Sequence, residues 1–296
     1  MTHPEVIESI HRAYLEAGSD VITTNTFGAN NLKLNPLGYS SEGIVEAAVS
    51  IARKAAGPNG LVALDVGPLG QLMAPMGDLT FEEAYDLFAP QVKAGQDAGV
   101  DFILIETMSD LYEAKAAVLA AKENARLPVI CTLTFQKNNR TLMGNDPITV
   151  ITVLEGLGVD ALGINCSLGP EDLLPIVKQF TDYSHVPVLV QANAGLPELV
   201  DGKPIFPLTP DVFADSVEKM ADMGIKMSGG CCGTNPDFIR ALRARLKDHP
   251  FVKRNNSRKT AAASARQTVF FENSPKIIGQ RINPSGREDL ADALRS

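Results

Sequence analysis

The sequence predicts a parallel α/β fold, a (β/α)8 TIM-type barrel that lacks its first strand. Short apolar runs rich in β-branched residues recur along most of the 296 residues, helical patterns lie between them, and each run ends in polar or small residues. Continuous apolar runs suit strands buried on both faces of a parallel sheet. Polar chemistry gathered at the carboxyl ends of such strands is where this class builds its sites. A doubly wound open sheet, which needs no eighth strand, is the other architecture the alternation allows.

In chain order, a helix is expected over 4–17, followed by the strand run "DVITTNTF" (20–27) and a helix over 41–56. "LVALDVGP" (61–68) precedes a helix over 80–98, where Thr80 with Glu83 three residues on forms a capping-box pattern. "DFILIETM" (101–108), "PVICTLTF" (128–135) and "ALGINCS" (161–167) lead into helices over 110–125, 147–157 and 170–181. "PVLVQANAG" (187–195) and "IKMSGGCCG" (225–233) lead into helices over 210–223 and 236–247, and Pro170 and Pro236 stand at first helical positions. Seven strands preceded by a helix imply that the first strand of a barrel lies upstream of Met1. From about residue 248 the chain turns basic and rich in alanine and serine, which reads as a linker over 248–273. At 274–296 a strand, a polar loop and a helix start read as the opening of another, incomplete domain.

Composition narrows the function. With 45% hydrophobic and 21% charged residues the chain is expected to pack as a globular domain, and its start lacks the basic-then-apolar order of a signal peptide. No run is long enough to span a bilayer, so the expected location is the cytoplasm and no membrane partner is expected. The net charge of −8 argues against a nucleic-acid face, which needs clustered positive charge.

Four cysteines are too few for a disulfide scaffold of this size. Cys131 lies mid-strand and reads as an ordinary buried thiol, whereas Cys166, Cys231 and Cys232 lie at strand ends, which a barrel brings to one rim. Glycines around the doublet in "SGGCCGTNP" offer positive φ values, so that neighbouring side chains converge instead of alternating. A helix start beyond it, capped by Thr234 or Asn235, lowers thiol pKa values. Three thiolates in a reducing compartment suit Zn²⁺, with one tetrahedral position left open. Such an ion carries a net charge of about −1 and polarises water weakly, but it deprotonates an incoming thiol and leaves it nucleophilic; alkyl transfer to that sulfur is the natural reaction.

"GINC" followed by "GGCCGTNP", with "TNTF", "IET" and "QANAG", resembles the homocysteine S-methyltransferase family, over residues 1 to about 247. The resemblance implies a zinc-dependent barrel that methylates homocysteine to methionine, with Cys166, Cys231 and Cys232 as metal ligands and catalytic groups. It also implies that Glu106 receives the α-amino group; Asn193 in "QANAG" reads as a substrate contact, an exchangeable fourth metal ligand or a loop-capping residue. Asn165, Thr134, Asn25, Thr26 and Asp65 occupy comparable strand ends, and Asn165 and Thr134 are taken as further substrate contacts. Gly67 and Gly163 read as positions of close backbone approach, and the four histidines as lying away from the rim. The tail "KIIGQRINPSGRE" is similar to the first strand of a pterin-binding domain, which implies methylcobalamin as donor, carried by another domain and recharged from methyltetrahydrofolate. The alternatives are a cobalamin-independent donor of S-methylmethionine or betaine type, and a non-catalytic zinc-binding remnant. An Asp-Gly-Ala-Met-Gly-Thr-like first strand, expected in this family, has no match here.

Overall fold

The computed structural model describes residues 3–200, 202–256, 259–264, 267–271, 275, 277 and 288–293. It opens with helix α1 (Pro4–Glu16), strand β1 (Val21–Thr23), a short α2 (Asn31–Leu34) that runs into a 3-10 turn, and α3 (Ser41–Ala56). Strict alternation follows: β2 (Leu61–Val66), α4 (Phe81–Ala98), β3 (Phe102–Met108), α5 (Leu111–Asn124), β4 (Val129–Leu133), α6 (Pro147–Gly156), β5 (Ala161–Asn165), α7 (Pro170–Tyr183) and β6 (Val188–Ala192). A small hairpin, β7 (Glu198–Val200) with β8 (Lys203–Ile205), interrupts it before α8 (Pro210–Asp222), β9 (Met227–Gly230) and α9 (Pro236–Leu246). A second hairpin, β10 (Ala261–Ala263) with β11 (Thr268–Phe270), and α10 (Glu288–Ala293) complete the described elements.

Among the described residues, seven strands form one parallel sheet in the order β1-β2-β3-β4-β5-β6-β9, curled into an open barrel and flanked by helices. β1 and β9 are its two free edges. Near the gap, Arg243 of α9 donates to both Asp20 carboxylate oxygens at 3.1 Å, tying α9 to the residue before β1. The helix starts follow their chemistry: Thr80 and Glu83 cap each other's backbone, Asp110 and Asp146 accept from the first turns of α5 and α6, and Asn235 caps α9. No described helix is long and apolar enough to cross a membrane.

Two apolar layers arise from the strand alternation. The larger fills the space between sheet and helices and contains the fully buried Phe88, Phe135, Phe180 and Phe213. The smaller lines the barrel interior with Ala63, Leu104, Ile130, Ala161 and Leu189. Two residues further along, the same inward face carries Asp65, Glu106, Thr132, Gly163 and Gln191, so the interior turns polar toward the carboxyl ends of the strands. Gly163 and Gly67 are close-approach positions, as the sequence implies: a Cβ would lie 1.9 Å from the Leu189 carbonyl oxygen at Gly163 and 2.5 Å from that of Phe27 at Gly67.

The segment read as a linker is seated on the barrel where it is described. Arg254 donates to the carbonyls of Ser184 and Val186, Asn256 to those of Thr181 and Ser184, and Phe270 stacks on Tyr183 with ring centroids 5.9 Å apart. These bonds satisfy carbonyls left open where α7 ends. Most of 276–287, including the expected strand of a following domain, lies outside the described residues, whereas the helix expected near the end of the chain is present as α10.

Gly163→Ala forces β5 away from β6. It is expected to destabilise the fold by about 3 kcal/mol, read as a lower urea midpoint.

Candidate metal centre

β6 and the residues directly after it are the template on which all three rim cysteines are mounted. Cys166, directly after β5, donates its N–H to Gln191 O at 2.9 Å. Beyond β9, Cys231 donates its N–H to Ala192 O at 2.8 Å, and Ala194 donates back to Cys232 O at 2.9 Å. The doublet therefore continues the β6–β9 ladder instead of leaving it. The chain then turns: Thr234 donates its N–H and its hydroxyl to Cys231 O, and Gly233 takes φ +80°. Positive φ is needed at Gly233 alone, contrary to the broader use expected of these glycines. Gly229 and Gly230 serve because they lack a side chain, since a Cβ on Gly230 would strike Thr234 and one on Gly229 would press on Gln191.

Cys166 and Ser167 are both left-handed, at φ 61° and 62°, with Leu168 N–H closing back onto Cys166 O at 2.8 Å. Non-glycine residues in this region cost on the order of 1 kcal/mol each and persist only where the surroundings hold them. Here they bend the chain after β5 so that the Cys166 thiol turns toward the doublet.

The three Sγ atoms lie within 4.8 Å of one another, with Cys166 and Cys232 3.6 Å apart. Ligands about 2.3 Å from a tetrahedral ion are separated by about 3.8 Å, so the trio is nearly spaced for one metal. The Cys166 pKa is lowered to about 5, chiefly by the Cys231 thiol and, against the opposing effect of burial, also by the Ser167 N–H, Cys232 and Asn193. Cys231 is pushed up, first by its hydrogen bond to Cys166 and then by burial; Cys232 is pushed up by burial and by Cys166. One negative charge is stable in this cluster unaided, and three require a cation among them.

Asn193, 4% exposed, accepts from Cys232 N–H at 3.1 Å, so its amide fixes the backbone of the doublet. Asn165, fully buried, accepts from Thr107 N–H at 2.8 Å and the Thr132 hydroxyl at 2.7 Å. Its amide donates to the Thr107 hydroxyl at 2.7 Å and toward Cys231 Sγ at 3.9 Å. Thr107 is itself left-handed, at φ 64°, immediately after Glu106. Thr107 and Thr132 are missing from the residues singled out in the sequence; their signal is the β3–β4–β5 register, visible only once the strands are aligned.

Glu106 lies on the interior face of β3, and its carboxyl is raised to about 7, mainly by burial and then by Cys166. Asp65, on β2, is raised well above the usual carboxylate range by burial and by Glu106. Thr134 is buried at the end of β4, and its N–H donates to Met108 O. Asn25 is exposed, while Thr26 is buried with its hydroxyl on Asp65 O. Cys131 is buried in the sheet–helix core and its thiol is pushed far up. None of the histidines joins the cluster: His3, His185 and His249 pair with Glu5, Glu155 and Asp222, and His11 is buried in α1.

Sequence and structure comparisons find relatives of this chain. The sequence profile described as homocysteine S-methyltransferase matches residues 1–246. Methionine synthase of Mycobacterium tuberculosis is 32% identical over 99% of this chain and 26% of its own length, and that of Mycobacterium leprae matches equally well. The chain thus spans about a quarter of the length of these relatives, 26% in each case. The metallated crystal form of the homocysteine methyltransferase MmuM from Escherichia coli is similar at a TM-score of 0.70 and 26% identity. That match covers 82% of this chain and 85% of the other.

Loaded with zinc, the chain is expected to hold one ion. Cys231→Ala is expected to weaken retention against a competing chelator by about 100-fold or more, and Asn193→Ala by about 10-fold, read by metal analysis.

Proposed function

We propose a function for a chain that belongs to the homocysteine S-methyltransferase family: it binds homocysteine with its sulfur at Cys166, Cys231 and Cys232 and passes a methyl group to that sulfur, giving methionine. The convergence of three thiols within 4.8 Å at the carboxyl ends of parallel strands carries this reading. Zinc is the ion proposed for the trio, because an all-thiolate, four-coordinate set with one position open matches its preferences. When bound, it supplies a position at which an incoming thiol loses its proton near neutral pH.

The chain's own residues do the rest. Asn193 and Asn165 hold the cysteines at fixed spacing, so no reorganisation is needed as substrate enters. Glu106, buried beside the cluster, accepts the substrate α-ammonium and thereby fixes which way the side chain reaches. The homocysteine sulfur forms its bond to the methyl carbon as the donor's bond to that carbon breaks, and the leaving electron pair stays with the donor. The product thioether carries no charge and no proton to lose, so it releases easily.

In this proposal the donor is methylcobalamin on another domain, recharged from methyltetrahydrofolate at a pterin-binding domain of which 274–296 is the beginning, after a barrel ending near 247. The likeness to methionine synthases runs over 99% of the chain, tail included, whereas that to MmuM covers 82%. A cytoplasmic setting, where thiols stay reduced, suits the trio. The second reading, a cobalamin-independent donor, draws on the match to 85% of MmuM against 26% of the methionine synthases.

Zinc-loaded chain given homocysteine and free methylcobalamin is expected to form methionine, and none when S-methylmethionine replaces the cobalamin. Equal or better turnover with S-methylmethionine would favour the second reading. Glu106→Gln is expected to raise KM for homocysteine by about 10-fold or more without loss of metal.

A further inference from the structure

We propose that Asp65 and Glu106 together form the receptor for the α-ammonium of the thiol substrate, and that Asp65 is the residue by which the barrel distinguishes an amino-acid thiol from a simple thiol. This rests on the thiol-binding function proposed above and adds to it a second carboxyl from a different strand.

Asp65 pairs with Leu104 across β2 and β3, and Glu106 is the next residue of β3 on the same inward face. Both therefore point into the polar layer beneath the cysteines. The backbone of Asp65 is clamped from the segment directly after β1: its N–H donates to the Thr24 hydroxyl at 3.0 Å, and its carbonyl accepts from the Thr26 hydroxyl at 2.6 Å. The side chain is mounted differently. Asp65 is only 6% exposed, yet its Oδ1 has no hydrogen-bond partner among the described residues. A buried acceptor left open in an otherwise satisfied site points to a donor that arrives with a ligand.

The surroundings say which donor. Among the described residues no lysine, arginine or histidine is paired with either carboxyl, and besides burial the group acting on Asp65 is Glu106 and that acting on Glu106 is Cys166. Gln191, inward-facing on β6, also has an unpartnered buried oxygen, Oε1. The layer beneath the thiols thus has acceptors in excess and, among the described residues, no cation of its own. Two adjacent buried carboxyls without a cation are costly, and an ammonium with three N–H donors satisfies both at once. A substrate with a thiol at one end and an ammonium at the other meets the cysteines and the carboxyl pair together. A thiol without the ammonium leaves both acids unpaired.

Calorimetric titration of the zinc-loaded chain with homocysteine and with 4-mercaptobutyrate, which keeps thiol and carboxylate but has no amino group, tests this. Wild type is expected to bind homocysteine about 30-fold more tightly. Asp65→Asn should shrink that preference to about threefold while leaving the affinity for 4-mercaptobutyrate within about twofold. Asp65→Ser serves if Asp65→Asn does not fold. Equal wild-type affinities, a preference that survives the substitution, or equal weakening of both thiols would overturn the assignment. Failure of both thiols to bind wild type would instead overturn the thiol site itself.

Discussion

Everything at the rim depends on β6 being paired on both sides. Its backbone receives Cys166 from the β5 side through Gln191 O and Cys231 from the β9 side through Ala192 O, and two residues beyond its end Ala194 N–H holds Cys232. Residues far apart in sequence are thus fixed to one another by two hydrogen bonds to a single strand and a third to the residues directly after it. A slip of one residue in either ladder would turn alternate side chains to the opposite face and scatter the thiols. Side-chain amides reinforce the same geometry, Asn193 accepting from Cys232 N–H and Asn165 linking β3, β4 and the doublet.

The barrel interior is graded along its axis. Ala63, Leu104, Ile130, Ala161 and Leu189 exclude water from one end, and the next inward positions carry Asp65, Glu106, Thr132 and Gln191. Burial in that second layer disfavours the charged carboxylate, and neighbouring acidic groups add to it, which explains why Glu106 and Asp65 hold their protons more tightly than surface acids. The strain at Thr107, Cys166 and Ser167 falls at the boundary between this layer and the rim. Strands end there, and the chain must re-aim functional side chains within one or two residues.

Local signals made most of this legible in the sequence. Helix limits at Pro170, Pro236 and the Thr80–Glu83 box follow from capping chemistry within a few residues, and the observed helices start there. The buried strands announce themselves by continuous apolar runs, and the cysteine doublet by its setting among glycines. What the sequence hid depends on long-range register. The ties from Asn165 to Thr107 and Thr132 join three strands, and the free Asp65 oxygen emerges only after all its neighbours are placed. The β7–β8 hairpin has strands of three residues each, too short for periodicity to register. In 248–273, low apolar content concealed anchors made by Arg254 and Asn256, whose partners are carbonyls at the far end of α7.

X-ray absorption at the zinc edge, with and without homocysteine, tests the central claim most directly. Three sulfur neighbours before addition and four afterwards, at about 2.3 Å, is the result expected of a thiol-accepting site built from Cys166, Cys231 and Cys232. An unchanged shell on addition of homocysteine, or a zinc environment that survives Cys231→Ala intact, would contradict it.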